Sequence, residues 1–502
     1  MDVVGYWHRL AACFDRDPEF YRQVHETVDE TAQWRDSLHR LVLPAEWHSN
    51  KITAGTLPYA YHTYKGKCLP SCPRQHSHER EIVSYSVDPL GPRLKLCSRA
   101  IRTARRLRGQ NSWTLWNQPQ VSHTIFERFG KLRPHPRLHG ECPCGNKLSH
   151  HIQLCKVDAS SFFKAADQNR GCWRASAFFR KLYNAGYRSV VVRPGCGAQG
   201  FLAKEGTHVP PHYHAVDFGH ILAGLMFTAL DNKFTLGARV YQRTRGWAMG
   251  SPCSPPACGF DLESGIEEMY TRPQLASKYG IHVRGLHPTQ VVQGVQQVDD
   301  LLLASRIHCE NCLYKLVTKL WPYDIGAELE GSGQKLRFMH LDITIPDTFV
   351  ESAELLHVQP TLHNLGFVSG VEEHAVQARV PQYTHESVHR RADLDRFLWC
   401  KLAMFDQILR GHCMLRDSAC VAYIIAEPWA SGWSIPWIVS SLCKFPRRHS
   451  SQFVQVVRKA AQQLRKHRQW KTYSPHDCDC RAKFFKSVDE IARQCIQTSE
   501  CI

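Results

Sequence analysis

A chain of 502 residues with 43% apolar and 22% charged side chains can bury a large core in two or three lobes, which excludes a disordered protein. Its 63 Lys and Arg against 46 Asp and Glu leave a formal net charge of +17, which points to a polyanionic partner, nucleic acid or a membrane surface. No run of about 18 apolar residues is present to span a bilayer. The start lacks the basic-then-apolar pattern of a secretion signal. The 21 cysteines are therefore expected as reduced thiols or zinc ligands. The expected compartment is intracellular, nuclear or cytoplasmic, with nucleic acid as the polyanion and no membrane.

In chain order, residues 17–43 show helical spacing with mixed charges and read as a surface helix or pair of helices. Cys68, Cys72, His76 and His78 follow at Cys-x3-Cys-x3-His-x-His, residue types that suit tetrahedral zinc although the loops are tight. A basic run comes next, Arg93, Lys95, Arg99, Arg102, Arg105, Arg106 and Arg108, leading to Trp113 and Trp116. Several of these arginines would share one helix face, either as a solvated face or as a phosphate site. A second group, His139, Cys142, Cys144, His150 and His151, offers only Cys-x-Cys spacing.

Residues 152–158 form an apolar strand ending at Asp158, followed by Phe162 and Phe163 and a helix. Residues 194–211 lack periodicity and read as an inserted loop. Phe218, Ile221, Leu222, Leu225, Met226 and Ala229 mark the core face of a helix. Residues 234–243 read as a strand, and a Gly/Pro-rich turn then enters another helix. Its small residues allow a backbone to approach a planar or phosphorylated ligand closely.

The stretch 291–305, VVQGVQQVDDLLLAS, organises the chain. Two adjacent acids, Asp299 and Asp300, sit between runs of aliphatic residues, the pattern of a strand, a tight turn and a second strand. Neighbouring carboxylates repel unless a cation neutralises them. Residues 308–321 follow as an amphipathic helix in which Cys309 and Cys312, though spaced as in a zinc knuckle, read as core, and 336–345 as a hairpin or strand. Beyond about residue 350 the pattern is helical and basic, with one more weak metal grouping around His476, Cys478, Cys480, Cys495 and Cys501.

Three of these stretches resemble the ordered motifs of a known family. They are Asp158 with Phe163, the run Tyr241-Gln242, Gly246, Met249-Gly250-Ser251-Pro252, Ser254-Pro255, and Val298-Asp299-Asp300-Leu301-Leu302. Together they are similar to the reverse transcriptase domain of non-LTR retroelements and group II intron-type elements, over about residues 150–345. Gln297 departs from the aromatic usual before Val-Asp-Asp, and the spacing from 158 to 250 is longer than in compact members.

The resemblance implies an α+β right-hand polymerase. Residues 1–150 would form an N-terminal extension and basic fingers, 151–350 a palm with an antiparallel sheet, and 351–502 a helical, basic thumb. It implies an RNA-directed DNA polymerase, a nucleotidyltransferase of retroelement origin, with an RNA template, a DNA primer and deoxynucleoside triphosphates as partners. Asp158, Asp299 and Asp300, with the Ala159 carbonyl, would hold Mg²⁺ or Mn²⁺. Phe163 would lie under the sugar as a steric gate, and Gln242, Gly250, Ser251 and Pro252 would line the nucleotide. Leu336 to Ile345 would be the primer-contacting hairpin. Two other readings stay open: a degenerate relative that binds nucleic acid without polymerising, and a zinc-organised RNA-binding protein.

Overall fold

The computed structural model describes residues 3–48, 51–64, 79–108, 112–116, 120–135, 137, 140–194, 199–339, 341–346, 356–360, 391–409, 418–430, 432–445, 452–466, 473 and 478–500. Cys68, Cys72, His76, His78, His139, His476 and Cys501 lie outside these residues.

The chain opens with α1 (Val3–Asp15), β1 (Tyr21–Val24), α2 (Val28–Val42), β2 (Tyr59–Tyr64), β3 (Glu79–Ser84), α3 (Gly91–Arg108) and α4 (Val121–Phe129). The central part runs β4 (Gln153–Ser160), the short α5 (Phe162–Ala165), α6 (Gln168–Asn184), β5 (Tyr187–Val192), β6 (Gly200–Lys204), β7 (His214–Asp217) and α7 (Phe218–Leu230). It continues as β8 (Lys233–Leu236), β9 (Arg239–Arg243), α8 (Ser254–Thr271), α9 (Pro288–Val291), β10 (Gln293–Gln297), β11 (Asp300–Ser305) and α10 (Glu310–Leu320). Three short strands and one longer follow: β12 (Gly326–Ser332), β13 (Lys335–Phe338), β14 (Leu341–Thr344) and β15 (His357–Pro360). The last part is helical: α11 (Arg391–Leu409), α12 (Ser418–Ala430), α13 (Ile435–Lys444), α14 (Gln452–Lys466) and α15 (Cys478–Glu500).

The sheet that matters most is four-stranded and antiparallel, in the order β10-β11-β4-β12. Both its faces are covered, which is why β11 reads as an unbroken Leu-Leu-Leu-Ala run. Alternate residues point to opposite sides of a strand. Val157, Ala159, Leu301 and Leu303 therefore enter one core, shared with α6, α8 and α10. Leu154, Leu302, Ala304 and Val295 enter a second, shared with α4 and β13–β15. Asp158 and Lys156 stand on the same side of β4 as Leu154, so one face is apolar at one end and charged at the other. β10 is covered along its outer edge by residues 113–115, where the Gln296 amide donates to the Trp113 carbonyl at 2.7 Å and the Leu115 amide to the Gln296 carbonyl at 2.7 Å.

Several sequence expectations need correction. Residues 17–43 contain β1 as well as α2, and α2 is a surface helix with Asp29, Glu30, Gln33, Ser37 and Arg40 exposed, but its inner face is partly polar: Thr31, Arg35 and His39 are buried on it. Arg35 is the charge that does not belong to the solvated face, because it is paired inside the protein. Its guanidinium meets Asp88 at 2.8 Å and Asp231 at 2.9 Å, all fully or almost fully buried. Residues 194–211 are not a plain loop, since they contain β6, which pairs with one edge of β5 as β7, just beyond them, pairs with the other. Residues 234–243 are a hairpin, β8–β9, turning at Gly237 with φ +59°. Trp113 is no phosphate companion. It is fully buried, and its indole donates to the Tyr270 hydroxyl at 2.8 Å. On α3, Arg105 is likewise buried and paired with Glu263, whereas Arg102, Arg106 and Arg108 stay exposed. Met226 leaves the core face of α7 and is half-exposed.

The C-terminal helices have a core of their own, with Leu398, Phe405, Ile425, Val457 and Val488 buried and Trp429 stacked on Phe484 at 4.1 Å. Among the described residues no helix is long and apolar enough to cross a membrane.

Candidate active site

The three acids of the sequence motifs come together through strand register. Asp158, near the end of β4, stands opposite Asp300, the first residue of β11. Asp299 occupies the two-residue turn between β10 and β11, and its carbonyl accepts from the Ala159 amide at 3.1 Å. That bond locks the turn onto β4. Val298, the other turn residue, has φ +58°, a conformation that favours glycine and costs a β-branched residue about 1–2 kcal/mol. It is part of what aims the two following acids.

Burial first, then the charges of Asp299, Asp300 and Glu330, push the Asp158 carboxyl up to about 7. Burial also raises Asp300, against the pull of Lys156. Lys156 was not expected at this site. It lies two residues before Asp158 and so shares its face. Its ammonium is 3.6 Å from Asp300 and also pairs with Glu330. Glu330 sits where β12 shifts register against β4 between Leu329 and Gly331, a bulge that re-aims its side chain. A cleft of about 450 Å³ opens alongside, lined by Lys156, Glu330, Lys335, Leu336 and Arg337.

The donor set suits a hard divalent cation. All donors are carboxylate oxygens, and their mutual repulsion is what a cation would relieve. Among the described residues the acids are not gathered closely enough to cage an ion alone. Mg²⁺ needs no such cage, because it keeps waters and substrate phosphates in its shell.

Beyond Asp158 the chain turns at Ser161, φ +52°, into α5. This turn sends Phe162 into the core at 3% exposure and leaves Phe163 half-buried beside it, ring centroids 5.1 Å apart. The second motif is tied to this corner. The Trp247 amide donates to the Phe163 carbonyl at 2.6 Å, and Gly246, φ +73°, lies flat against the same backbone. A Cβ on Gly246 would stand 2.3 Å from the Lys164 carbonyl oxygen and 2.5 Å from that of Phe163. Gly246→Ala should therefore cost about 2–3 kcal/mol, read as a lower urea midpoint with unchanged slope. A loss below about 0.5 kcal/mol would mean the two segments are not joined this way.

The remaining motif residues fall at different depths. Gly250 is exposed, with φ +115°, and packs against β3, where the Val83 amide donates to the Met249 carbonyl at 2.9 Å. Ser251 is buried at 3% exposure and Pro252 is half-buried, so Gly250 is the member this turn presents. Gln242 lies on β9, where its side-chain carbonyl accepts from Arg22 on β1 at 2.7 and 3.0 Å. The expected hairpin over 336–345 is present as β13–β14.

A second cluster went unseen as a unit. Cys142 and Cys144, from the loop before β4, meet Cys309 and Cys312, from the start of α10. Cys309, at the N-cap position of the helix, is buried as the core reading expects, and Cys312 lies half-buried in the first turn, but the two sulfurs meet the other pair instead of an apolar core. His150 and His151 are not among the grouped ligands.

No family model matches the sequence, and no curated protein matches it. Among solved structures, the chain is similar to apo telomerase from Candida tropicalis, with TM-score 0.42 and 12% identity over 99% of this chain and 70% of that one. It is similar to telomerase from Candida albicans in complex with a fragment of telomeric RNA, with TM-score 0.43 and 12% identity over 98% and 76%. The RNA-dependent RNA polymerase of BmCPV follows at TM-score 0.33 and 10% identity, over 68% of this chain and 26% of that one.

Proposed function

We propose that the chain is a template-directed nucleic-acid polymerase of the reverse transcriptase kind, which adds deoxynucleotides to a primer 3′-hydroxyl on an RNA template. The observation that carries this is the register of Asp158 against Asp300, with Asp299 beside them in the turn between β10 and β11, at one end of an antiparallel sheet. On this reading that sheet is the palm, the basic N-terminal part the fingers and the C-terminal helices the thumb.

Asp158 and Asp299 would be the principal ligands of two divalent ions, with Asp300 supporting. Those ions supply activation of the 3′-hydroxyl and neutralisation of the departing pyrophosphate. The chain's own residues do the positioning. Phe163, held by the Ser161 turn and by Trp247, offers its ring as a floor under the sugar, and Gly250 lets the backbone approach the base pair. Lys335 and Arg337 on β13 face the cleft beside the acids, where they suit the phosphates of a primer end. A net charge of +17 supports backbone binding that reads no sequence. Extension of a labelled DNA primer on RNA with Mg²⁺ tests the reading. Tight template binding with no extension in Mg²⁺ or Mn²⁺ would favour the degenerate alternative, for which the pairing of Lys156 with Asp300 speaks.

Sugar choice gives a finer test. A rigid ring under C2′ leaves room for hydrogen but not for hydroxyl, so a ribonucleotide is pushed off the in-line geometry. Phe163→Val should relax discrimination against ribonucleotides by about tenfold or more. Phe162→Val, in the core, should cost stability and leave discrimination alone. Single-nucleotide addition with both sugars decides this, and equal discrimination in parent and Phe163→Val would place the gate elsewhere.

A further inference from the structure

Cys142, Cys144, Cys309 and Cys312 have sulfur atoms that all lie within 4.8 Å of one another. The closest approaches are 3.2 Å for Cys142–Cys144, 3.6 Å for Cys144–Cys309 and 3.7 Å for Cys142–Cys312. Disulfides would bring paired sulfurs to about 2.0 Å. Four thiolates around one zinc at the usual bond length stand roughly 3.8 Å apart along the edges of a tetrahedron. The cluster has the second spacing.

The loop that brings the first pair is built for such a role. Residues 140–148 form a small hairpin. The Cys142 amide donates to the Asn146 carbonyl, the Gly145 amide to the Cys142 carbonyl and the Leu148 amide to the Gly140 carbonyl, each at 2.8 Å. Gly140 and Gly145 take positive φ, which lets the chain turn back so tightly. Almost every residue of this hairpin is exposed, and Cys142 is the buried one. A two-stranded hairpin without an apolar face is marginal in water. Its fixed place against α10 therefore needs a staple, and four thiols stand where one is needed.

Amide donors already point at two of the sulfurs. The Cys309 amide donates to the Cys142 sulfur at 3.3 Å, and the Asn146 side-chain amide to the Cys309 sulfur at 3.8 Å. Cys309 and Cys312 occupy the first turn of α10, where the helix dipole favours negative charge. Lys315, one turn further, lines the same opening.

We propose that these four cysteines bind one structural zinc ion, releasing their thiol protons as it enters. The ion would tie the loop before β4 to the helix after β11, the two strands that carry the acids. It would act as a clamp on the sheet and take no part in chemistry.

The test uses the full chain, expressed in zinc-supplemented medium and purified without chelator. Parent protein should carry one zinc per chain more than Cys142→Ser/Cys312→Ser. A difference of one separates this site from any zinc held elsewhere. Cobalt substitution of the parent should give the intense red-region absorption of a tetrahedral tetrathiolate, absent from the double variant. If the variant fails to fold, the parent alone decides. Maleimide labelling mapped by mass spectrometry should find these four cysteines protected until a chelator is added. Equal zinc in parent and variant, iron in place of zinc, disulfides among the four, or labelling indifferent to chelator would each overturn the proposal. None of these readouts needs polymerase activity, so the site stands or falls separately from the proposed function.

Discussion

Asp158→Asn and Asp299→Asn should each reduce primer extension by at least about a thousandfold while leaving template–primer affinity within about twofold. An amide keeps the shape of the carboxylate but removes the charge that a divalent ion and the transferring phosphoryl group require. What separates this from simple damage is stability. Asp158 is crowded by Asp299, Asp300 and Glu330, so its ionised form is a burden on the fold. With a folded-state value of about 7 and an unfolded value near 3.8, the folded chain holds the extra proton between those limits. Stability contributed by this group therefore falls as pH rises from about 4 to 7. Asp158→Asn removes the group and with it that dependence. The variant should melt at or above the parent temperature at pH 7 in metal-free buffer, and its advantage should shrink as pH falls toward 4. An inactive variant that also melts well below the parent at pH 7 would mean that lost activity reports unfolding. A variant that extends primers at the parental rate would sink the two-metal assignment.

The second large effect lies far from the acids in sequence. Arg35→Met should destabilise the protein by about 3–5 kcal/mol. Its guanidinium donates to both oxygens of Asp231, at 2.9 and 3.0 Å, and to Asp88 at 2.8 and 3.4 Å. Burial opposes its charge, but the two aspartates outweigh burial and hold it cationic. The triad joins three elements: α2 through Arg35, the start of α3 through Asp88, whose side chain also accepts from the Leu90 amide at 2.9 Å, and the end of α7 through Asp231. Methionine fills the volume but takes the paired cation from two buried carboxylates, leaving Asp231 only the more distant charge of the buried Arg243. Urea denaturation of parent and variant measures the loss. A change below about 1 kcal/mol would show that the aspartates find water or protons at little cost.

These examples also show what the sequence could and could not reveal. The acid-bearing strands were legible because two covered faces demand unbroken aliphatic runs, and the turn between them could only be short. Phe162 and Phe163 could be assigned opposite surroundings from their position just past a strand. The Arg35 network was hidden because a buried ion pair and a solvated one look alike in helical spacing. The cysteine cluster was hidden for a different reason. Each pair is too short a signal alone, and their meeting depends on β4 and β11 being neighbours, which no local pattern states. The strands β6 and β7 were masked by His, Pro and Gly around short edge segments.

The position of β4 has a consequence for how the protein is made. It is an inner strand, yet both its partners, β11 and β12, lie about 140 or more residues downstream, as the pairing of Asp158 with Asp300 and Glu328 shows. At a synthesis rate of roughly 5–20 residues per second, β4 leaves the ribosome on the order of 10–30 seconds before either edge can be paired. Leu154, Cys155 and Val157 wait through that interval beside open backbone donors and acceptors, a template for wrong partners. The strand that places the acids is thus also one exposed to misassembly on the growing chain, and yield in cells should respond to lower growth temperature and to chaperone supply before it responds to anything at the finished site.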